Sequence, residues 1–230
     1  MTLQHLSEAK QLNQWMFDTI RPFVKGPVLE IGSGIGNISS LFVENGIPIH
    51  LSDLESKYCE VLRGKFEGEP LVKGVKQIDL SHPDFENRYA KLLGQFGTVF
   101  ALNVVEHIPN DKLGIANAKL LLKTRGRLII LVPAYTALYN DLDVHLDHFR
   151  RYNRESLKKL LSKDFEILNT QYFNLAGIVG WWLSGTVMRK KTLPEGQLSL
   201  YDKLVPLFRV ADAMTFKQVG LSVIAVGRKR

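Results

Sequence analysis

A glycine-rich loop directly after an apolar run is the feature that most limits how this chain can fold. The run is residues 28–31, and Gly32, Gly34 and Gly36 follow it at alternate positions. Glycine lets the backbone turn sharply and lets a ligand approach the main chain closely. The pattern therefore predicts a buried strand, a tight turn and a ligand site beside the next helix. Dinucleotide-binding proteins also use such loops, so the glycines alone do not identify the ligand.

Two residues near the loop help to distinguish between ligands. Asn37 stands where the dinucleotide fingerprint has Gly or Ala, and Glu30 lies just before the first glycine. A carboxylate there would repel a pyrophosphate at short range. S-adenosyl-L-methionine has no phosphate and carries an ammonium and a sulfonium group. The charge therefore favours S-adenosyl-L-methionine as cofactor, bound by Glu30, Gly32, Gly34 and Gly36.

Acidic residues follow the next two predicted strands. Asp53 lies about 20 residues beyond the glycines, where an acid can accept hydrogen bonds from both ribose hydroxyls. Asp79, with Leu80 beside it, is predicted to contact the adenine. The alternative for Asp79 is a turn cap before residues 81–83.

Apolar runs that fit strands alternate with helical patterns, which is typical of βαβ units and a parallel sheet. The predicted strands are residues 28–31, 47–51, 72–78, 98–102, 127–132, 165–172 and 221–226. The predicted helices are residues 6–23, 55–66, 112–123, 154–162, 175–189 and 198–214, with Asn153 as an N-cap. The fold class is therefore α/β, a Rossmann-like sheet with helices on both faces.

The length of 230 residues fits one such domain with a substantial core. We expect a single domain over residues 1–230, with an N-terminal helical cap at about 1–25 and a helical insertion at about 175–216 before the last strand. Cys59 is the only cysteine, which excludes an internal disulfide and disfavours a cysteine-based metal site. With no secretory signal visible at the N-terminus, we expect a cytoplasmic protein.

The net charge of +7 permits an anionic partner such as nucleic acid, acidic lipid or a phosphorylated substrate. Part of the excess lies in Arg189, Lys190 and Lys191 and in the C-terminal residues 228–230. No basic motif interleaved with aromatic residues accompanies it. We therefore interpret the charge as a solvated surface and expect no nucleic-acid partner.

Several segments resemble the class I S-adenosylmethionine-dependent methyltransferases. Residues 28–36 are similar to the first motif of that family, and Asp53 matches its ribose-binding acid. Residues 100–108 (FALNVVEHI) resemble its fourth-strand segment, often written N-V-L-E-H-I, and residues 126–133 match its fifth strand. Residues 145–152 are similar to a G-H-x-R-R-Y segment of a bacterial subgroup found near cell-surface glycan genes, but Asp147 replaces the usual glycine.

The resemblance implies a seven-stranded sheet whose last strand is antiparallel to the others. It implies that Glu30 lies near the methionine amino end of the cofactor and that Asn103 lines the cofactor pocket. In family members an N-terminal helix often covers the cofactor, which Gln14 and Trp15 and their neighbours could do here.

Methyl transfer is an in-line displacement, so the enzyme must align the nucleophile with the sulfonium methyl and exclude water. Residues after the fourth and fifth strands should face the substrate. His148 is the preferred general base, and His107 is a second candidate for catalysis or else orients backbone in a turn. Tyr135, Arg150 and Arg151 are predicted substrate-binding residues, with packing and a solvated pair as the alternatives.

Two further groups of residues leave alternatives open. His145 and His148, with the acids at positions 141, 143 and 147, resemble a metal cluster, but we expect a loop that contacts solvent or substrate and no metal. The apolar stretch 175–183 is either a lid or interfacial helix for a lipid-linked substrate, or a helix packed against residues 198–216 or in a dimer contact. We favour packing; membrane contact is the alternative, and the oligomeric state is not indicated.

The sequence therefore predicts an enzyme that transfers a methyl group from S-adenosyl-L-methionine to oxygen or nitrogen of a small-molecule or glycan/lipid-related acceptor. The second product is S-adenosyl-L-homocysteine. The alternatives are an NAD-dependent oxidoreductase, disfavoured by Glu30 and Asn37, and a non-catalytic adenosylmethionine-binding module.

Overall fold

A computed structural model describes residues 9–188 and 195–230 and contains a seven-stranded sheet in the order β3-β2-β1-β4-β5-β7-β6. The strands are β1 Val28–Ile31, β2 Ile49–Asp53, β3 Val72–Gln77, β4 Phe96–Leu102, β5 Leu122–Pro133, β6 Phe165–Phe173 and β7 Ser222–Lys229. Strands β1 to β5 pair in parallel, and β7 runs antiparallel to both β5 and β6. The predicted Rossmann-like sheet with an antiparallel last strand is confirmed.

The helices lie on both faces of this sheet, which explains the continuous apolar runs in its central strands. In β5, Leu128 and Ile130 belong to the hydrophobic core on one face, and Ile129 and Leu131 belong to the core on the other. All four side chains are at most 1% exposed. A strand that is covered on both faces needs apolar residues at every position rather than at alternate ones.

The helices are α1 Lys10–Ile20, α2 Asn37–Glu44, α3 Ser56–Lys65, α4 Phe85–Arg88, α5 Asp111–Leu121, α6 Asp141–His145, α7 Arg154–Ser162, α8 Ala176–Trp181 and α9 Glu195–Met214. Asn153 caps α7 as predicted, because its side chain accepts from the Ser156 amide at 2.7 Å. Residues 6–8 of the predicted first helix lie outside the described residues.

Some element boundaries differ from the predicted ones for identifiable reasons. Strand β2 begins at Ile49 rather than at residue 47, since Pro48 has no N–H to donate to the sheet. Helix α5 ends at Leu121, and the buried Leu122 begins β5 by pairing with Phe96 of β4. The predicted fifth strand, residues 127–132, is thus the inner part of a longer one.

The region between β6 and β7 also departs from its predicted pattern. Residues 175–189 were predicted as one helix, but α8 is followed by a π-helical turn at Trp182–Val187. This turn brings Gly185 against Asn140, since a Cβ at Gly185 would lie 2.4 Å from the Asn140 side chain. Arg189, Lys190 and Lys191 lie outside the described residues. None of the described helices is long and apolar enough to cross a membrane.

Helix α9 joins two other helices through buried aspartates. The Asp202 carboxylate accepts from the Gln11 and Leu12 amides in the first turn of α1, at 3.1 and 2.9 Å. The Asp212 carboxylate accepts at 2.7 Å from the Asn174 and Leu175 amides that precede α8. Backbone amides at the start of a helix have no partner within the helix, so a carboxylate there stabilises its position. Both α1 and the start of α8 are therefore attached to α9.

Candidate functional site

The glycine loop lies between β1 and α2, and its conformation requires glycine. Gly32, Gly34 and Gly36 have φ angles of 72°, 55° and 78°, a left-handed region that L-residues rarely adopt. A Cβ at Gly32 would lie 2.5 Å from Val104 Cγ2, and one at Gly36 would lie 2.7 Å from Phe66 Cε2. The loop therefore packs tightly against the segment after β4 on one side and against residues that follow α3 on the other.

Glu30, directly before the loop, is buried and not exposed to solvent. Its carboxylate accepts a hydrogen bond from the Ser39 hydroxyl on α2. Burial raises the pKa of Glu30 to about 7, against the opposite effect of hydrogen bonds from Ser39 and Ser33. Its predicted role in attracting a cationic cofactor stays a prediction, and any such effect acts from a buried position.

Glu30 gives the protein without cofactor a specific pH dependence of stability. Its carboxyl has a pKa near 4.5 when unperturbed and about 7 when folded, so the folded state binds the extra proton between these values. Stability then falls as pH rises through this window and levels off above it, by at most about 1.4 kcal/mol per pH unit. Urea denaturation of wild type and Glu30→Gln, between about pH 5 and pH 7, measures the difference. A stability difference between the two proteins that is constant with pH would contradict this.

Asp53 ends β2 beside the loop. Its Oδ2 accepts from the Gly34 amide at 2.8 Å, and its Oδ1 accepts from the Glu55 amide at 3.0 Å. Each carboxylate oxygen has a further lone pair that can accept a hydrogen bond from a hydroxyl group. Asp53 therefore fixes the position of the loop and retains acceptor capacity at the carboxyl end of the sheet.

Asp79 and Leu80 follow β3 at the same end of the sheet. Asp79 Oδ1 accepts from the Ser81 amide at 2.8 Å and from the Ser81 hydroxyl at 2.6 Å. The carbonyl of the buried Leu80 accepts from Asn117 Nδ2 at 2.8 Å. Asp79 thus forms the turn cap that we considered as an alternative. The contacts of Asp79 and Leu80 with adenine stay predictions.

Asn103 lies directly after β4 and next to the glycine loop. It has a φ of 55°, and its amide donates to the Leu131 carbonyl of β5 at 2.8 Å. Its side chain is exposed. This places Asn103 at the edge where the resemblance puts the cofactor pocket.

An acid and two histidines meet just beyond Asn103. The rings of His107 and His148 are 4.8 Å apart between centroids and are nearly perpendicular. Glu106, fully buried, has no hydrogen-bond partner for either carboxylate oxygen among the described residues. A carboxylate oxygen of Glu106 and one ring nitrogen each of His107 and His148 lie within 4.8 Å of one another. We call these three residues the Glu-His-His cluster.

A second acid holds His148 in place within a short loop. His148 Nδ1 is 2.8 Å from Asp143 Oδ1, which also accepts from Arg151 Nε at 2.8 Å, while Asp143 Oδ2 accepts from the Asn140 amide at 3.0 Å. The Phe149 amide donates to the Glu106 carbonyl at 2.9 Å and so brings the two parts of the cluster together.

Burial dominates the electrostatics of the cluster. It raises the pKa of Glu106 to about 8, against smaller opposite effects of its own backbone amide and of the Arg151 charge. The pKa of His107 is lowered by partial desolvation of its ring, one side of which is exposed, and by the neighbouring His148. Burial also opposes ionisation of Asp143, but hydrogen bonds from His148 and Arg151 outweigh it and lower the pKa. The site therefore favours a neutral His107 and an ionised Asp143.

The three predicted substrate-binding residues are already engaged within the protein. Arg150 donates to the Ile108 and Pro109 carbonyls at 2.7 and 2.6 Å. The buried Arg151 donates to Asp143 and, at 2.9 Å, to the Ala134 carbonyl. The Tyr135 ring stacks on Tyr172 with centroids 5.0 Å apart. Tyr135 and Arg151 lie next to the end of β5, and Arg150 lies against the segment that follows β4. Both guanidinium groups are occupied by internal partners.

Sequence reasoning missed Glu106 and the meeting of His107 with His148. The expected histidine cluster included His145, which is exposed on α6 and has its Nδ1 against the Asp141 carbonyl. The sequence feature that could have indicated Glu106 is its position directly before a histidine in the segment after β4. Its complete burial depends on the loop around residues 140–152 folding back over it.

The strand order, the glycine loop after β1 and the acid after β2 together define a class I S-adenosylmethionine-dependent methyltransferase fold. The model of a family described as "Methyltransferase domain" matches residues 7–168, so the chain belongs to this methyltransferase family. A search of curated proteins finds no match. The predictions of an enzyme, a methyltransferase with S-adenosyl-L-methionine as cofactor, are confirmed.

Solved structures share the fold over most of the chain at low identity. A candidate methyltransferase from Bacillus halodurans C-125 is 21% identical with a TM-score of 0.60, covering 93% of this chain and 98% of that one. A SAM-dependent methyltransferase from Archaeoglobus fulgidus is 18% identical with a TM-score of 0.60, covering 94% of both chains. Phosphoethanolamine N-methyltransferase 2 of Haemonchus contortus, in complex with S-adenosyl-L-methionine, is 17% identical with a TM-score of 0.57, covering 90% of this chain and 49% of that one.

Proposed function

We propose that the enzyme methylates an oxygen or nitrogen of a small-molecule or glycan/lipid-related acceptor that reaches the His107–His148 pair. The position of this pair is the observation that carries the proposal. His107 follows β4 in the same turn as Val104, whose side chain contacts Gly32 of the glycine loop. In open α/β sheets, ligands bind at the carboxyl ends of the strands. A nucleophile beside the histidines would therefore lie close to the cofactor.

We propose that the cofactor lies along the carboxyl ends of β1 to β4. The backbone of Gly32, Gly34 and Gly36 would allow its close approach, and Asp53 would accept from the ribose hydroxyls. Asp79 and Leu80 would contact the adenine, and Asn103 would lie near the methionine part. Glu30, buried directly before the loop, contributes negative potential when ionised.

His148 has the arrangement of a general base. Ionised Asp143 only accepts hydrogen bonds, so the short contact requires a proton on His148 Nδ1. In the neutral form of the ring, Nε2 then carries the free lone pair. As the acceptor oxygen or nitrogen attacks the methyl carbon, its proton would pass to a neutral imidazole. The C–S electron pair returns to sulfur, and S-adenosyl-L-homocysteine is released.

The internal contacts of Arg150 and Arg151 lead us to a revised view of the substrate-binding prediction. We propose that both arginines fix the loop that carries His148, and that Tyr135 contributes a ring edge to the acceptor side. The resemblance of residues 145–152 is the sole support for a glycan- or lipid-related acceptor, and the described contacts do not bear on it.

A methylation screen tests the proposed function. The purified protein is incubated with S-adenosyl-L-methionine and a panel of phenols, sugars, amines and phosphoethanolamine lipids, and products are detected by the mass gain of one CH₂. We expect His148→Gln to lower kcat by about 100-fold on the accepted substrate without changing affinity for S-adenosyl-L-homocysteine. His145→Gln, in the same loop, is the matched control and should retain activity. Full kcat in His148→Gln, or methylation of nucleic acid alone, would overturn the proposal.

A further inference from the structure

The buried carboxyl group of Glu106 has an unmet requirement for a partner. Neither of its oxygens has a hydrogen bond among the described residues, although the side chain is fully buried. Buried polar side-chain atoms almost always have a partner, and an unpaired carboxyl in the interior costs several kcal/mol. The two imidazoles of the cluster each place a ring nitrogen within 4.8 Å of a Glu106 carboxylate oxygen.

Each imidazole has a hydrogen bond to a group outside the cluster. His148 uses Nδ1 toward the Asp143 carboxylate, and His107 has a hydrogen bond with the Asp147 backbone carbonyl. In metal sites, ligating histidines almost always donate their other N–H to a carboxylate or a backbone carbonyl, which fixes the tautomer and orients the free lone pair. Both histidines show this pattern here.

We propose that Glu106, His107 and His148 bind one divalent transition-metal ion. Two imidazoles with one carboxylate form a ligand set suited to Zn²⁺, Fe²⁺, Mn²⁺ or Co²⁺, whereas Mg²⁺ and Ca²⁺ prefer oxygen ligands throughout. Three protein ligands leave at least one coordination position for another molecule. The ion would also supply the missing partner of Glu106. This departs from the prediction of no metal, which the sequence suggested for a different set of residues.

The distances require a small closure of the cluster. Ligand atoms about 2.1 Å from one ion at tetrahedral angles lie about 3.4 Å from each other. The ligand atoms of the three side chains lie within 4.8 Å of one another. Each of these separations would therefore shorten by at most about 1.4 Å. His107 is exposed on one side and has room to turn toward the other two.

The ion would have a defined role in the proposed methyl transfer, and this part of the inference rests on the proposed function. An acceptor hydroxyl bound to the open position loses its proton to solvent more readily, because the ion stabilises the oxyanion. The oxygen then forms a bond to the methyl carbon, the C–S bond breaks, and sulfur keeps the electron pair. With the ion bound, His148 Nε2 would be a ligand, and the ion would replace it as the group that promotes loss of the acceptor proton. The general-base role proposed above applies to the protein without the ion. The acceptor would be an oxygen compound that can bind a metal ion, such as a phenol or a vicinal diol.

Cobalt binding tests the site without requiring activity. Protein dialysed against EDTA is titrated with Co²⁺, and binding is followed by the visible absorption of coordinated cobalt and by calorimetry. We expect one site per chain, with affinity about 100-fold weaker or more in each of Glu106→Gln, His107→Gln and His148→Gln. The matched control is His145→Gln, which changes an exposed histidine of the same loop and should bind Co²⁺ as wild type does. Mg²⁺ at equal concentration should not compete.

The His107→Gln variant still tests the metal site if substitution of the buried Glu106 or His148 impairs folding, because His107 is exposed. Thermal unfolding and affinity for S-adenosyl-L-homocysteine are measured on every variant, so loss of the fold or of the cofactor site is distinguished from loss of the metal site. Wild-type Co²⁺ affinity in His107→Gln, or an equal loss in His145→Gln, would overturn the proposal, as would no binding to folded wild type. If Co²⁺ binds as expected but no acceptor is methylated in the screen, the metal site stands and the proposed function fails.

Discussion

Replacing Asp53 with alanine should lower the affinity for S-adenosyl-L-homocysteine by about 100-fold, because it removes charge-assisted hydrogen bonds worth about 1.5–3 kcal/mol each. Two effects combine in this variant. The ribose hydroxyls lose their proposed acceptor, and the Gly34 amide loses the oxygen that now accepts from it at 2.8 Å. The glycine loop is therefore less well fixed before the cofactor arrives. Isothermal titration calorimetry measures the change directly.

Two further variants separate these effects. Asp53→Asn keeps one oxygen for the Gly34 amide but removes the charge, so its loss of affinity should be smaller than that of Asp53→Ala. Glu55→Gln is the matched control, since its acid is exposed and close to the same turn. Wild-type affinity in Asp53→Ala would show that the acid after β2 does not contribute to the cofactor site.

Replacing Arg151 with methionine should destabilise the protein by about 3–5 kcal/mol, because it leaves a buried Asp143 without its cationic partner. The side chains of Arg151 and Asp143 are 1% and 0% exposed, so solvent screening does not weaken this pair. Arg151 also lies over the Trp181 ring at 4.7 Å, which connects the loop to α8. The free energy of unfolding, from urea denaturation with native fluorescence as probe, measures the effect.

Arg150→Met is the matched control for Arg151. Its guanidinium is 30% exposed, donates to two backbone carbonyls and pairs at 3.5 Å with Asp111, which is itself 20% exposed. We expect a loss of about 1 kcal/mol there. Equal destabilisation by the two variants would contradict the view that the buried pair with Asp143 is the main contribution.

The glycine loop and the acid after β2 could be predicted because each depends on short-range sequence. A continuous apolar run such as 128–131 indicates a strand covered on both faces, and glycines after a strand indicate a tight turn. The structure explains why glycine is needed in this turn. A side chain at Gly32 would collide with Val104, and one at Gly36 would collide with Phe66. The antiparallel last strand came from the resemblance rather than from any local pattern.

The cluster around Glu106 could not be predicted because it depends on contacts between distant segments. His145 ends α6 and His148 lies in the loop after it, and no local pattern indicates that only His148 meets His107. Nor does the residue type of Arg151 indicate that it is buried, since arginine is usually at the surface. The hydrogen bond from the Phe149 amide to the Glu106 carbonyl, which brings these segments together, has no sequence signature.

Helix α9 has a consequence for how ligands enter. Because Asp202 holds the first turn of α1 and Asp212 holds the residues before α8, the two helices share one attachment. If α1 swings outward to admit the nucleoside, it must either release Asp202 or carry α9 along with it. In the second case the tryptophan over Arg151 shifts as well, so entry of the donor and access of the acceptor would be mechanically coupled.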